Sequence, residues 1–377
     1  MFTTSVVGSF PRPRFLIEAF DKFGRKEISK EEYEEAVQDA IKLTVKEEEL
    51  AGLDVITDGE MRRSSFVSFV GQKLPGFKLV HITELKKDAK EIMKREKAQL
   101  TLWRAVAEGR LGDAVLAEDE LRFTKSITSK DVKITLPSPY LVMWETWHKG
   151  ISDRYYKEPE DLAEDYAKIL RKEVLRLKEG GAAFIQLDEP MLGDLVEASQ
   201  DKPDRYRKVV ELIHGQKYRG FKEEVKLACS LVNQVVKGIA GVRLGVHLDR
   251  WPNKDSPFYN TGYEKLFPEL LELKVKQFVL EYASPGAGDP SKVAAELPSD
   301  IEMGLGVVKV RDNTVEDPKQ IAEMAEKVAK IIGGERVWLN PDCGFAPGMY
   351  RGFPRAVAFA KIRAMVKAAE MLRKKHS

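Results

Sequence analysis

Two kinds of hydrophobic pattern alternate along this chain. Short runs of nearly continuous apolar residues occur at Ser5–Gly8, Asp54–Asp58, Lys133–Pro137, Phe184–Asp188, Arg243–Asp249, Gln277–Tyr282, Glu302–Val308 and Arg336–Pro341. Continuous rather than alternating apolar character predicts strands covered on both faces. Amphipathic stretches lie between them. Ser29–Ala51 opens with Ser29 three residues ahead of Glu32, the pattern of a capping box. Pro159–Glu179 begins on proline and runs into Gly180-Gly181, a start and stop signal for one helix. Glu264–Leu273, Asp317–Ile332 and Pro354–Lys374 read the same way. Eight strands alternating with helices predict an α/β fold, a (β/α)8 TIM barrel. An open doubly wound sheet is the runner-up. The barrel is preferred because residues able to do chemistry recur at the carboxyl ends of the strands.

The whole chain, 1–377, reads as one barrel domain. Residues 61–130 are too many for a simple crossover between the second and third strands. They are expected to form a mainly helical insertion packed on the barrel. Within it, Leu85–Arg110 reads as charged helix and Leu121–Ser129 as added strand.

Charge narrows the function. Lys+Arg is 62 and Asp+Glu is 60, which leaves no basic field for nucleic acid. No run of about 18 apolar residues occurs, so no membrane partner is expected. The start, MFTTSVVGSFPRP, lacks the pattern of a signal peptide. With only two cysteines, Cys229 and Cys343, the chain is expected to be reduced and cytoplasmic. No P-loop, dinucleotide fingerprint or CxxC motif is present, which lowers nucleotide and redox readings.

The candidate chemistry lies at strand ends. Cys343 follows Val337-Trp338-Leu339-Asn340-Pro341-Asp342. His247 and Asp249, two apart on one strand, point to the same side. Glu281 follows Phe278-Val279-Leu280, and a carboxylate there needs a partner. A thiol, an imidazole and two carboxylates can converge on one metal ion, and a metal-bound thiolate is reactive at neutral pH. Each residue also has a plainer reading. His247 can be a hydrogen-bonded core residue, Asp249 can pair with Arg250, and Cys343 can be an inert thiol. Asp188-Glu189 and Glu60 can bind a substrate ammonium or cap turns, and Arg62-Arg63 can hold an anion or face solvent. Gly8 permits close approach of a ligand to Ser9. Trp144 can stack on a flat ligand or fill the core.

TSVVGSFPRP, GLDVITDGEMRR, IQLDEP, VHLDRW, VLEYASP and LNPDCGFAP, spread in order over residues 4–347, resemble the catalytic half of the cobalamin-independent methionine synthase family. The resemblance implies a (β/α)8 barrel and a zinc-dependent transfer of a methyl group to the thiol of homocysteine. It implies zinc ligands at His247, Asp249, Glu281 and Cys343. It implies homocysteine binding by Val7, Gly8 and Ser9, by Glu60 and by Asp188. Two departures stand out. Asp249 replaces a family cysteine. The GVVKVRDN phrase carries Lys309, Arg311 and Asp312 but no histidine of the kind that assists departure of the folate nitrogen in the family, which leaves a folate or a corrinoid carrier as the methyl donor. Two other readings remain open at this point. One is zinc-dependent alkylation of another thiol, such as coenzyme M with an epoxide; the other is a non-catalytic descendant.

Overall fold

The computed structural model of the chain describes residues 1–65, 67–95, 103–193, 205–249, 262–267, 269–284, 286–346 and 352–376. Its strands are β1 (Thr3–Thr4), β2 (Val55–Ile56), β3 (Phe77–His81), β4 (Trp103–Ala107), β5 (Asp131–Pro137), β6 (Phe184–Asp188), β7 (Arg243–Leu248), β8 (Gln277–Leu280), β9 (Glu302–Val308) and β10 (Val337–Pro341). Eight of them form one parallel sheet in the order β1-β10-β9-β8-β7-β6-β5-β2. A parallel bridge between Ser5 and Val55 brings its two ends together. The result is a (β/α)8 barrel. Strands β6, β8, β9 and β10 are buried along their whole length, as their unbroken apolar runs require.

The barrel is filled and clad separately. Val7, Val55, Phe184, Val279 and Trp338 form a small cluster of their own from strands and strand ends. A far larger cluster joins the strands to the outer helices. Those helices follow local rules. Lys30–Ala51 starts on Ser29 with both halves of the capping box formed, and stops at Gly52 in the left-handed region. Pro159–Glu179 matches its predicted span, and Pro318–Ile332 is capped by Asp317.

Four expectations change. The first strand ends earlier than Ser5–Gly8, because the carbonyls beyond it bond side chains instead of a ladder. Lys133 Nζ donates to Val6 O at 2.8 Å, Gln186 Nε2 to Val7 O at 3.2 Å and Thr57 Oγ1 to Gly8 O at 3.0 Å. Leu121–Ser129 is not a strand; it falls in and just beyond the helix Glu118–Ile127, whose acidic first turn suits a helix N-terminus. Leu85–Arg110 is helical only at its front, over Ala89–Arg95; residues 96–102 lie outside the described residues. Its far end is β4, which pairs antiparallel with β3 as a hairpin. Glu264–Leu273 is replaced by two 3-10 turns, Tyr263–Lys265 and Glu269–Glu272. Pro268 stands between them in the sequence and cannot supply a helical N–H. No helix among the described residues is long and apolar enough to cross a membrane.

At the amino-terminal mouth of the barrel a cavity of about 430 Å³ is lined by Asp54, Arg243, Trp338 and Arg373. Arg243 is already clamped on Glu302, and Arg373 on Asp54. That mouth reads as structural, and chemistry is sought at the opposite end.

Candidate metal and substrate site

At the carboxyl mouth, Asp249 after β7, Glu281 after β8 and Cys343 after β10 each offer a donor atom, all within 4.8 Å of one another. The fold builds this group with fixed supports. Tyr263 Oη donates to Leu248 O at 2.7 Å and accepts from Glu281 N at 3.1 Å, which ties the ends of β7 and β8. Asp342 Oδ1 accepts from the backbone of Tyr282 at 2.9 Å and of Ala283 at 2.8 Å, and its Oδ2 takes Ser284 Oγ at 2.6 Å. Asp342 N reaches back to Val308 O at 2.8 Å. The residue before the thiol therefore staples the ends of β8, β9 and β10.

The charges in this corner oppose one another. Cys343 Sγ lies 3.4 Å from Asp249 Oδ2 as a donor. Burial first, and then the charges of Asp249 and Glu281, push the Cys343 thiol well above its ordinary range. Burial, and then Asp249, push Glu281 well up as well. Arg311 from the loop after β9 reaches in, with Nη2 3.3 Å from Asp249 Oδ1 and Nη1 3.8 Å from Glu281 Oε1. Desolvation works against the guanidinium, yet Glu281 and Asp249 hold its pKa above the usual value. Two carboxylates and a thiol crowded at one buried point, with burial favouring the proton-bound forms of Glu281 and Cys343, are a set whose protons a divalent cation would replace.

The structure brings Asp249, Glu281 and Cys343 together and leaves His247 outside that group. His247 is buried on β7, with Nδ1 3.1 Å from Val279 O. Burial lowers its pKa to about 4, so the ring is neutral. Its Nε2 is buried without a hydrogen-bond partner among the described residues. A neutral imidazole fixed through one nitrogen, with the other left bare, has the form of a metal ligand oriented by a carbonyl. One thiol, two carboxylates and this imidazole fit a borderline-soft ion such as zinc. The plainer partner for Asp249, Arg250, lies outside the described residues.

A second corner lies beside the first. Glu60 is buried at the end of β2 with φ 57°, an unusual left-handed conformation for a glutamate. It is held at its N–H, its carbonyl and one carboxylate oxygen. Its N–H donates to Asp58 Oδ1 at 2.8 Å, and its carbonyl accepts from Arg12 Nη2 at 3.0 Å. Its Oε1 accepts from Thr135 Oγ1 at 2.7 Å and lies 3.6 Å from Arg63 Nη1. Asp188 ends β6, with Oδ1 taking Gln186 Nε2 at 2.7 Å. Burial, and then the charge of Glu60, raise the Asp188 pKa, so the two carboxylates feel each other. Such a pair is suited to an ammonium group.

Val7, Gly8 and Ser9 run between the corners. A Cβ on Gly8 would sit 2.5 Å from Glu60 Oε1, so only glycine fits there. Ser9 abuts Gly344, and its carbonyl accepts from Phe345 N at 2.9 Å. The loop after β1 thus touches both the amino corner and the thiol corner.

Sequence reading missed three supports. Buried Arg12 donates to Ala346 O at 2.7 Å, Glu60 O at 3.0 Å and Arg63 O at 2.8 Å, joining three active-face loops. Arg63 is neither an anion site nor surface, because its side chain is buried against Glu120 at the start of the Glu118–Ile127 helix. Tyr263 carried no visible signal. Asp342, next to Cys343 in NPDC, did carry one. Trp144 is fully buried core.

Comparison with known proteins adds a lineage. The family model for the catalytic domain of the cobalamin-independent synthases matches residues 1–213 and 261–371. A methionine synthase of Thermococcus kodakarensis is 30% identical over 98% of this chain and 93% of its own length. One from Sulfurisphaera tokodaii is 31% identical over 98% of this chain and 92% of its own. A solved B12-independent methionine synthase from Shewanella sp., in complex with selenomethionine, shares the fold. Its TM-score is 0.75 at 20% identity, covering 100% of this chain and 99% of that one.

Proposed function

The chain belongs to the cobalamin-independent synthase family, and from that membership we propose that it is a zinc-dependent methyltransferase that converts homocysteine to methionine. The observation that carries the reading is the group of Asp249, Glu281 and Cys343 at the barrel's carboxyl end, linked through Ser9 to the Glu60 corner. His247, Asp249, Glu281 and Cys343 are the zinc ligands in this reading. Zinc held there supplies a Lewis acid that draws a substrate thiol toward thiolate at neutral pH. Glu60 and Asp188 bind the substrate ammonium. The Val7–Ser9 backbone and the Ser9 hydroxyl hold its carboxylate. These contacts fix where the substrate sulfur lies, and orientation of that kind supplies much of the rate. The thiol proton leaves to solvent. A sulfur–carbon bond forms as the donor's bond to the methyl carbon breaks.

Arg311 bears on the donor. A guanidinium does not release its proton at ordinary pH, so it cannot protonate a departing folate nitrogen. This favours a methyl-corrinoid carrier over a methylated folate. The pair of carboxylates facing an ammonium favours homocysteine over a sulfonate thiol such as coenzyme M. Residues 61–130 are read as an insertion anchored on β5 through Arg63, whose Nη1 donates to Thr135 Oγ1 at 3.0 Å and whose Nη2 donates to Thr135 O at 2.9 Å.

The test is metal analysis of the purified chain together with methionine formation from homocysteine and each donor. About one zinc per chain and methionine from at least one donor are expected. A wild-type protein without stoichiometric zinc would remove the mechanism.

A further inference from the structure

Asp249 brings a geometric problem that a cysteine would not. A thiolate offers a metal one donor atom, whereas a carboxylate offers two. A carboxylate that chelates through both oxygens takes up the position an incoming thiol needs. Here the two oxygens of Asp249 are divided. Oδ2 faces Cys343 Sγ at 3.4 Å, and Oδ1 accepts from Arg311 Nη2 at 3.3 Å. The other arm of the same guanidinium stands 3.8 Å from Glu281 Oε1. The loop that carries Arg311 is itself anchored. Glu316 Oε1 accepts from Lys309 N at 2.9 Å, and the buried Lys361 Nζ holds both Glu316 oxygens at 3.0 and 3.1 Å. Lys361 also bonds Thr314 O, so the helix Arg355–His376 fixes the loop at Thr314 and at Glu316.

Asp249, which stands where the family pattern has cysteine, is therefore in contact with Arg311 of the phrase that lacks the family histidine. We infer that Arg311 is a positioning residue that limits Asp249 to one donor oxygen. The place left open at the metal is then kept for the substrate thiol. The forked, planar guanidinium suits this task, since one arm bonds Asp249 in a fixed direction while the other faces the charge of Glu281; an ammonium acts as a single point. The inference rests on the metal reading proposed above.

Cobalt(II) is the probe, loaded into the full chain in place of zinc. The intensity of its visible d–d bands reports coordination number, and a thiolate-to-cobalt charge-transfer band reports thiol binding. Wild type, Arg311→Gln, Arg311→Lys and Asp249→Cys are compared, with Arg311→Gln also placed in the Asp249→Cys background. In the Asp249 background, Arg311→Gln is expected to weaken the d–d bands. It is also expected to raise the homocysteine concentration for half-saturation about tenfold or more. Arg311→Lys falls between, and guards against a fold defect in the glutamine variant. In the Asp249→Cys background the same substitution has little effect, because a thiolate has no second oxygen to restrain. Unchanged spectra and thiol affinity in Arg311→Gln would overturn the inference. So would an equal loss in both backgrounds, which marks general support only. Failure of the wild-type chain to bind cobalt or zinc would refute the metal reading itself, and this inference with it. Metal binding without Arg311 dependence would refute the inference alone.

Discussion

The amino corner and the thiol corner meet at the loop after β1, yet they are held by opposite means. In the amino corner the N–H, the carbonyl and one carboxylate oxygen of Glu60 have partners, and a strained φ of 57° is maintained by Arg12, Asp58, Thr135 and Arg63. That corner is preset by fixed hydrogen bonds. The thiol corner is the reverse. Asp249, Glu281 and Cys343 crowd together, two of them with pKa values driven well up, and the cation placed among them is Arg311. Its backbone is stapled by Asp342 and Tyr263, but its two carboxylates and thiol crowd one another in a buried place that favours the proton-bound forms of Glu281 and Cys343. In the proposed reading, one corner selects by shape and fixed hydrogen bonds and the other takes a cation.

The contrast can be broken most sharply at Cys343. Cys343→Ser removes the sulfur donor, and zinc content measured by elemental analysis should fall well below one per chain. Methionine formation should drop at least about a hundredfold, while the melting temperature stays close to wild type. Glu281→Gln should follow the same pattern. If zinc binding survived both changes, the thiol corner would not be a metal site.

Substitutions in the amino corner should leave zinc untouched and weaken only the substrate. Asp188→Asn is expected to raise the homocysteine KM about tenfold or more, since a hydrogen bond to a charged group is lost. Steady-state kinetics checks this, with zinc content measured on the same sample. A change in zinc content with an unchanged KM would merge the two corners.

Arg12→Met tests whether the corners share one frame. It leaves the carbonyls of Glu60, Arg63 and Ala346 without their buried donor. A loss on the order of 3 kcal/mol is expected in denaturant unfolding. Both zinc retention and homocysteine KM should worsen together.

The smallest effect concerns the floor of the amino corner. Glu48 accepts from Thr57 N at 2.7 Å beneath the Gly8 carbonyl contact, and burial raises its pKa to about 8. The folded state therefore holds a proton that the unfolded state, with a value of 4.5, has released between those two limits. The stabilising contribution is full below pH 4.5 and is lost as pH rises through 8. Glu48→Gln should flatten that part of the pH–stability profile measured by thermal melting. An unchanged slope would show that the carboxyl is ionised in the folded chain.

How much of this was legible in the sequence follows from the range of the forces involved. Strands β5 to β10 were readable because continuous apolar runs are local. The capping box at Ser29 was readable for the same reason. β1 was misplaced because Val6, Val7 and Gly8 bond to Lys133, Gln186 and Thr57, side chains far away in sequence. The β3–β4 hairpin was hidden because its strands are separated by a charged stretch rather than a short turn. The donors at 249, 281 and 343 were found because each ends an apolar run with a polar group that needs an explanation. Arg12 and Tyr263 were not, since a tertiary support carries no period and no motif. Arg311 stood out in the sequence only as part of a phrase without the family histidine, and its contact with Asp249 comes from the fold.

The most direct test is zinc-edge X-ray absorption of the zinc-loaded chain before and after homocysteine is added. The account predicts one sulfur neighbour at about 2.3 Å from Cys343, rising to two when the substrate thiol enters, with the oxygen and nitrogen count falling or holding. In Asp188→Asn the second sulfur should appear only at higher homocysteine. A sulfur count that stays the same at saturating homocysteine would contradict the claim that the thiol corner and the amino corner bind one substrate.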